Sequence, residues 1–213
     1  LGGKLNLLEA QGFVFDLGPS IFILPELYRQ VFTTAGRRLE DYVEFTRVEP
    51  QWRSFFEDGV QVDLHGEAAA MRAELQRLGG DPADWERFTS YSKRLWEFAQ
   101  KHYLDTRADS VWDILKSSGL LSALRNIEVF SSMHEGVGRR IGEPHLAEVL
   151  EFFIKYVGSS AHDAPAFMNL LAWSQLRDGL YYVPGGMYGY ARALTRLLEE
   201  LGVEIHLNTP VRS

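Results

Sequence analysis

Glycines near the two ends of the chain constrain its fold more than any other feature. Gly2-Gly3 is followed by the segment Gly12-Phe-Val-Phe-Asp16-Leu-Gly-Pro-Ser20, and Tyr181-Tyr-Val-Pro-Gly-Gly-Met-Tyr-Gly189 stands near the other end. Glycine has no Cβ, so it adopts positive φ angles and lets the backbone come close to a neighbouring group. These segments therefore predict tight loops that lie very near another backbone or a ligand.

Apolar spacing of three and four residues predicts several amphipathic helices. The first, over 25–36, is expected to bury Leu24, Leu27, Tyr28, Val31, Phe32 and Ala35. A helix opened by Asp81-Pro82 is expected to bury Trp85, Phe88, Ser92, Leu95, Ala99 and His102. The same spacing predicts further helices over 67–78, 111–116, 120–130, 144–156, 163–176 and 187–201.

Alternating apolar residues predict the strands. Residues 43–64 favour two or three antiparallel strands, with Asp58-Gly59 as a tight turn. Strands are also predicted over 180–183 and 203–207, on either side of the last helix, and such a strand–helix–strand unit is typical of parallel sheets. Gly136-Val-Gly138-Arg-Arg-Ile-Gly142 does not have the spacing of a dinucleotide-binding turn and is interpreted as a loop.

The order of these motifs points to a family. Gly2-Gly3, Gly12-Phe13, Asp16, Gly18-Pro19 and Gly185-Gly186 together resemble the carotenoid and phytoene desaturase family of flavoproteins. The Gly-Gly-Met-Tyr-Gly form of the second loop looks most like the bacterial diapophytoene (dehydrosqualene) desaturase branch. The first flavin-binding strand–turn–helix, with its G-x-G-x-x-G, is not found, so the chain is expected to be a central fragment of such a protein.

The resemblance implies an α+β fold class. Residues 40–183 are expected to form a substrate-binding cap domain with a mixed, mainly antiparallel sheet plus helices. Residues 1–39 and 184–213 are expected to be remnants of a Rossmann-like, FAD-binding α/β domain that flanks the cap. Both ends of the chain would then lie near each other.

The resemblance also implies the site residues. Those expected to bind the flavin are Gly2, Gly3, Lys4, Gly18, Pro19, Ser20, Gly185 and Gly186. Those expected to line an apolar groove for the substrate are Phe153, Tyr156, Phe167, Trp173, Tyr182 and Met187. No catalytic side chain is assigned, because no carboxylate or histidine stands at a spacing that marks an acid or base.

The implied activity is FAD-dependent desaturation of an acyclic isoprenoid or carotenoid hydrocarbon. Because the phosphate-binding turn is not found, the 213-residue chain by itself is expected to hold no FAD and to be inactive. A related flavin amine oxidase, protoporphyrinogen oxidase or carotene isomerase is the alternative among enzymes. A non-catalytic module that binds apolar ligands or membranes is the alternative outside them.

Composition excludes several other classes. The net charge of −7 argues against a nucleic-acid partner, and the lack of cysteine excludes disulfides, thiol catalysis and thiolate metal sites. Six histidines show no metal-ligand spacing, so no metal site is predicted. No segment has the roughly 20 apolar residues of a membrane span. A cytoplasmic protein that works at the membrane surface is expected, since the implied substrate is a hydrocarbon, and a homo-oligomer is also expected.

Overall fold

The computed structural model describes residues 1–104, 128 and 130–210. The chain divides into two compact units: unit 1 is Leu1–Val48 with Asp178–Ser213, and unit 2 is Glu49–Arg177. The first division, at 48/49, lies later than the predicted boundary at 39/40. The second division, at 177/178, lies earlier than the predicted boundary at 183/184. The helices predicted over 111–116 and 120–130 lie, except for Glu128 and Phe130, outside the described residues.

Short strands and helices alternate along the chain. The strands are β1 (Leu7–Ala10), β2 (Phe13–Asp16), β3 (Thr46–Val48), β4 (Trp52–Phe55), β5 (Gln61–Leu64) and β6 (Leu180–Tyr182). The α-helices in the described residues are α1 (Pro25–Thr34), α2 (Ala68–Arg77), α3 (Ala83–Ala99), α4 (Met133–Gly138), α5 (Pro144–Glu151), α6 (Leu170–Leu176) and α7 (Tyr188–Glu200). Short 3-10 turns cover Leu39–Asp41, Phe152–Tyr156 and Ala166–Asn169, and a π turn, Gln100–Leu104, extends α3.

The strands form antiparallel pairs, β1 with β2, β3 with β6 and β4 with β5. The Asp58-Gly59 turn between β4 and β5 is confirmed, and Gly59 has a φ of +84°. The hairpin of β1 and β2 was not predicted. Gln11 and Gly12 both have positive φ, at 52° and 83°, as a two-residue type I′ hairpin turn requires.

In unit 1 the core surrounds α7. Buried apolar side chains from both parts of the unit meet there: Phe22, Phe32, Leu39, Val183, Met187, Tyr190, Ala193 and Leu197. Pro25 begins α1 at its first turn, where its missing N–H costs nothing. Phe32 of α1 is buried as predicted, but Leu27 and Val31 of its predicted buried face are exposed.

In unit 2 the core lies among α2, α3, α5 and α6 and the β4–β5 hairpin. Trp85, Phe88, Ser92, Leu95 and Ala99 are buried along α3, as their spacing predicts. The buried Ser92 of α3 makes two hydrogen bonds to the segment that contains α6. Its Oγ donates to Asn169 O at 2.5 Å and accepts from Trp173 N at 3.0 Å. The coarse α+β prediction is confirmed, with small antiparallel pairs and helices in each unit.

Two local predictions are wrong. Residues 203–207 form no strand, so the described residues contain no parallel crossover after α7. The segment alternates as a strand does, but no strand among residues 1–104 and 130–210 supplies it with hydrogen bonds. Of the loop expected over 136–142, residues 136–138 instead belong to α4, and 139–142 are non-helical as expected. The helix begins at Met133 because Ser132 and Glu135 make a reciprocal capping box that satisfies the first N–H groups.

Within the described part of the chain, no helix is both long enough and apolar enough to cross a bilayer.

Candidate functional site

The loop between β6 and α7 has the geometry that its glycines predict. Gly185 and Gly186 have φ angles of +82° and +100°, a region that L side chains rarely adopt. Gly186 N donates to Val183 O at 2.9 Å, which closes the turn. The predicted tight loop from strand to helix is confirmed.

Asp16, at the end of β2, lies against this loop. Its carboxylate oxygens accept from Met187 N at 3.1 and 3.2 Å, immediately before α7 begins. A Cβ on Gly186 would stand 2.8 Å from Asp16 Oδ1, so glycine is required here by its neighbour as well as by its φ. An anionic side chain that accepts from an N-terminal N–H is favourable at a helix start.

The register of the first hairpin explains how Asp16 reaches the loop. Asp16 pairs with Leu7 across the β1–β2 ladder. A cavity of about 260 Å³ lies beside these residues, and its lining is Leu7, Val14, Asp16, Tyr182, Gly185 and Gly186. Three residues predicted from sequence, Tyr182, Gly185 and Gly186, are therefore brought together at one cavity.

The first glycine segment also packs tightly. A Cβ on Gly2, whose φ is +101°, would stand 2.9 Å from Tyr188 of α7. A Cβ on Gly18 would overlap the carbonyl oxygen of Lys4. These two glycines are explained by close approach within unit 1, which holds the segment around Lys4 beside the turn at Gly18.

Gly3 and Gly185 differ from these tightly packed glycines. Both have positive φ and are exposed, and nothing lies within 4 Å of a Cβ built on either. Their backbones are open to solvent, as is the side chain of Lys4, while Pro19 and Ser20 are also exposed. An accessible glycine backbone with a nearby cation fits the close approach of an anionic dinucleotide such as FAD.

Comparison with known proteins agrees with this arrangement. The family of flavin containing amine oxidoreductases matches residues 1–213. The chain belongs to this family. Membership confirms the predicted class of FAD-dependent oxidoreductases and identifies FAD as the family's cofactor.

Three relatives resemble the chain over nearly its whole length. It is 50% identical over 212 residues to a 4,4'-diapolycopene oxygenase from Methylomonas sp, covering 99% of this chain and 43% of that protein. It is 40% identical over 214 residues to a 4,4'-diaponeurosporene oxygenase from Staphylococcus haemolyticus, covering 100% and 43%. It is 39% identical over 214 residues to a protein of that name from Staphylococcus aureus, covering 99% and 43%.

The chain thus spans less than half the length of these curated relatives. They confirm the predicted resemblance to enzymes that act on carotenoids. Their names specify oxygenases, whereas the motif resemblance suggested the desaturase branch.

The predicted substrate residues are distributed over both units. Met187 is buried in the core of unit 1, and Tyr182 lines the cavity beside the glycine loop. Phe153 is buried in unit 2, where Phe167 packs against the core and Trp173 is partly buried. Tyr156 Oη donates to Gln175 Oε1 at 2.7 Å, and burial raises the pKa of this tyrosine to about 12.

Unit 2 contains a second cavity that is richer in aromatic residues. Its volume is about 360 Å³, and its lining is Trp52, Arg53, Ser54, Phe55, Phe56, Glu148, Val149, Phe152, Phe153 and Lys155. Of the predicted substrate residues, only Phe153 lines it. The predicted groove over 152–156 and 167–173 therefore differs from the observed cavity, where the second wall is strand β4.

Lys155 was not predicted as a site residue. Its ammonium nitrogen lies 3.3 Å from the centre of the Trp52 ring and 4.2 Å from that of Phe152. Burial lowers the pKa of Lys155 to about 8, whereas the ring faces favour the charged form. The aromatic clusters at 52–56 and 152–156 were visible in the sequence, but their pairing around one lysine depends on tertiary folding.

Proposed function

We propose that the full-length protein containing this chain is an FAD-dependent oxygenase of an acyclic carotenoid of the diapolycopene or diaponeurosporene type. The observation that supports it most is the 50% identity with a 4,4'-diapolycopene oxygenase across 212 residues. The open backbones of Gly3 and Gly185 in a flavoprotein family support the cofactor part of the proposal.

Unit 1 would bind part of the cofactor. We propose that the backbones around Gly3 and Gly185 approach the flavin, with Lys4 offering a positive charge and Gly18, Pro19 and Ser20 forming the adjoining turn. FAD, when bound, supplies the redox chemistry, and the protein positions the substrate and excludes water. Asp16 would hold the β6–α7 loop in place through Met187 N, and Tyr182 would border the cofactor cavity.

Unit 2 would act as the substrate-binding cap. A carotenoid hydrocarbon offers no hydrogen-bonding groups, so its affinity comes from burial of apolar area, at about 25 cal/mol per Å². The cavity bordered by Trp52, Phe55, Phe152 and Phe153 provides such a surface for part of the polyene. We further propose that the protein meets its substrate at a membrane surface, supported by the exposed apolar side chains of Phe13, Phe15 and Leu17.

Product analysis tests the reaction. The full-length protein is expressed in a host that accumulates the acyclic carotenoid, and the extracted pigments are examined by absorption and mass spectrometry. We expect pigments that have gained oxygen. Pigments that have only lost hydrogen would instead establish the desaturase suggested by the Gly185-Gly186-Met187-Tyr188-Gly189 loop. Unchanged pigment from a protein that holds FAD would contradict both.

A matched pair of variants tests the cap. Phe152→Ala removes an aromatic wall of the cavity, whereas Phe130→Ala removes an exposed ring that does not line it. We expect Phe152→Ala to raise KM for the carotenoid severalfold with FAD content unchanged, and Phe130→Ala to leave KM unchanged. Equal KM values for both variants and wild type would place substrate binding elsewhere.

A further inference from the structure

Two histidines and a glutamate from separate segments of unit 2 meet at the surface. His134 is in the first turn of α4, Glu151 ends α5, and His162 lies in the turn that precedes Ala166–Asn169. One ligand atom from each lies within 4.8 Å of the others. We call this group the His–Glu–His cluster. Its members are far apart in sequence, which explains why spacing along the chain gave no sign of it.

Backbone hydrogen bonds hold the two histidine segments together. Met133 N donates to Ala164 O at 2.8 Å, and His134 N donates to Ala161 O at 2.9 Å, so the turn with His162 is attached to the start of α4. Within this turn, Ser160 O accepts from Ala164 N at 2.9 Å. The main-chain segments that carry both histidines are therefore held together by contacts that do not depend on a ligand.

The side chains are close enough to share one ion. His134 Nδ1 lies 2.8 Å from Glu151 Oε1, and the ring centres of His134 and His162 are 4.3 Å apart. Metal–ligand bonds of about 2.0–2.2 Å place the ligands of a tetrahedral zinc ion roughly 3.3–3.5 Å apart. The side chain of His134 is 49% exposed, so small rotations about its side-chain bonds can adjust the present distances.

We propose that His134, Glu151 and His162 bind one divalent transition-metal ion of the zinc type. Imidazole nitrogen with carboxylate oxygen is a donor set that suits zinc and its first-row neighbours, whereas magnesium and calcium prefer oxygen ligands alone. The ion takes the place of the direct contact between His134 Nδ1 and Glu151 Oε1, and water completes its coordination at the exposed side. It joins α4, the end of α5 and the 158–163 turn, and shares no residue with the proposed flavin and carotenoid sites.

Calorimetric titration tests the proposal, using Zn²⁺ with untagged full-length protein from which metals have been removed. We expect one equivalent of Zn²⁺ to bind. His134→Ala, His162→Ala and Glu151→Gln should each weaken binding by roughly tenfold or more, since even residues behind the ligands contribute that much. His206→Ala is the matched control, because His206 lies in unit 1, beside Glu204 and outside the cluster. It should bind Zn²⁺ as the wild type does.

Two further measurements separate coordination from folding defects. Glu151→Gln keeps the shape and a hydrogen-bonding oxygen but loses the charge, so its melting temperature without metal should match that of the wild type. Zn²⁺ at about a hundredfold excess over Kd should raise the wild-type melting temperature by about 3 °C and leave the His134→Ala/His162→Ala protein unchanged. Millimolar Mg²⁺ should not compete. Equal Zn²⁺ binding by the wild type and the double variant, or no binding by either, overturns the proposal.

Discussion

The two units differ in how their closely packed regions are built. In unit 1 the close contacts involve backbone: Gly2 lies against Tyr188, Gly18 against the carbonyl of Lys4, and Gly186 against Asp16. In unit 2 the interior is filled by large side chains, among which Phe88, Leu95 and Leu150 are fully buried. Unit 2 also has glycines without room for a Cβ, at Gly80 and Gly136, but its core of buried side chains is the larger of the two.

The exposed apolar surfaces differ as well. In unit 1 the β1–β2 hairpin exposes Phe13, Val14 and Phe15, followed by Leu17 at 57% exposure. A two-stranded hairpin cannot bury both of its faces without a partner layer. Unit 2 also exposes large apolar side chains, and two of them, Phe55 and Phe152, border its aromatic cavity. The comparison suggests that unit 1 is adapted for contact with other groups at its backbone and hairpin, and unit 2 for holding an apolar interior.

The largest effect expected concerns core volume. Leu150→Ala in unit 2 should lower the free energy of unfolding by about 2–5 kcal/mol, because it leaves a cavity at a fully buried site. The same substitution at the exposed Leu17 of unit 1 should change it by no more than about 0.5 kcal/mol. Urea denaturation of both variants measures the difference. A large loss for Leu17→Ala would show that the hairpin is covered in solution.

The next effect concerns backbone closeness. Gly186→Val places a side chain both at a φ of +100° and against Asp16, and should cost about 1–3 kcal/mol or more. Gly202→Val is the matched control, since Gly202 has a φ of +72° but nothing within 4 Å of a Cβ. In the full-length protein, Gly186→Val should lose much more FAD than Gly202→Val, measured at a temperature well below the melting of both. Equal FAD content in the two variants would show that the β6–α7 loop is an ordinary turn with no part in flavin binding.

Sequence patterns predicted unit 2 better than unit 1, for a physical reason. The α3 stripe of Trp85, Phe88, Ser92, Leu95 and Ala99 is buried as expected, because a helix interior follows one local period. Leu27 and Val31 of α1 follow the same period yet are exposed, because unit 1 offers no described layer over them. Periodicity shows which face is apolar but not whether another element covers it.

The candidate site was predictable only where glycine geometry decides it. The conformation of Gly185 and Gly186 followed from their type and from the strand and helix beside them. The part played by Asp16 depends on hairpin register, which a Gln-Gly pair between apolar residues could have signalled. The closeness of Lys155 to Trp52 depends on packing of distant segments, and no local pattern contains that information.

Asp16 allows a smaller and more specific test of unit 1. Asp16→Ala leaves the buried Met187 N–H without its acceptor, and should cost about 1–2 kcal/mol and speed hydrogen exchange at that amide. Asp16→Asn retains one acceptor oxygen and should cost less than half of that. If the two variants exchange equally fast at Met187, the carboxylate contact does not hold the start of α7.

The last effect expected is a pH dependence in unit 2, which is reduced because Lys155 is only partly buried. Burial lowers the pKa of Lys155 to about 8 in the folded protein, while an unfolded lysine titrates near 10.4. Between these two pH values Lys155 is protonated in the unfolded chain but largely neutral in the folded one, so the free energy of unfolding rises with pH. Below this window, Lys155 lowers the free energy of unfolding by a constant amount. Lys155→Met removes this dependence.

The wild type should therefore gain stability relative to Lys155→Met as the pH rises from about 8 to about 10.4. Denaturation of both proteins across that range measures the change, and Lys93→Met, at a side chain 52% exposed, controls for the loss of one charge. The rings of Trp52 and Phe152 act in the opposite direction by favouring the ammonium form. A difference that stays constant with pH would mean that these rings offset the burial of Lys155. The aromatic cavity would then accommodate a charge as readily as a hydrocarbon, and the contrast between the two units would be weaker at that point.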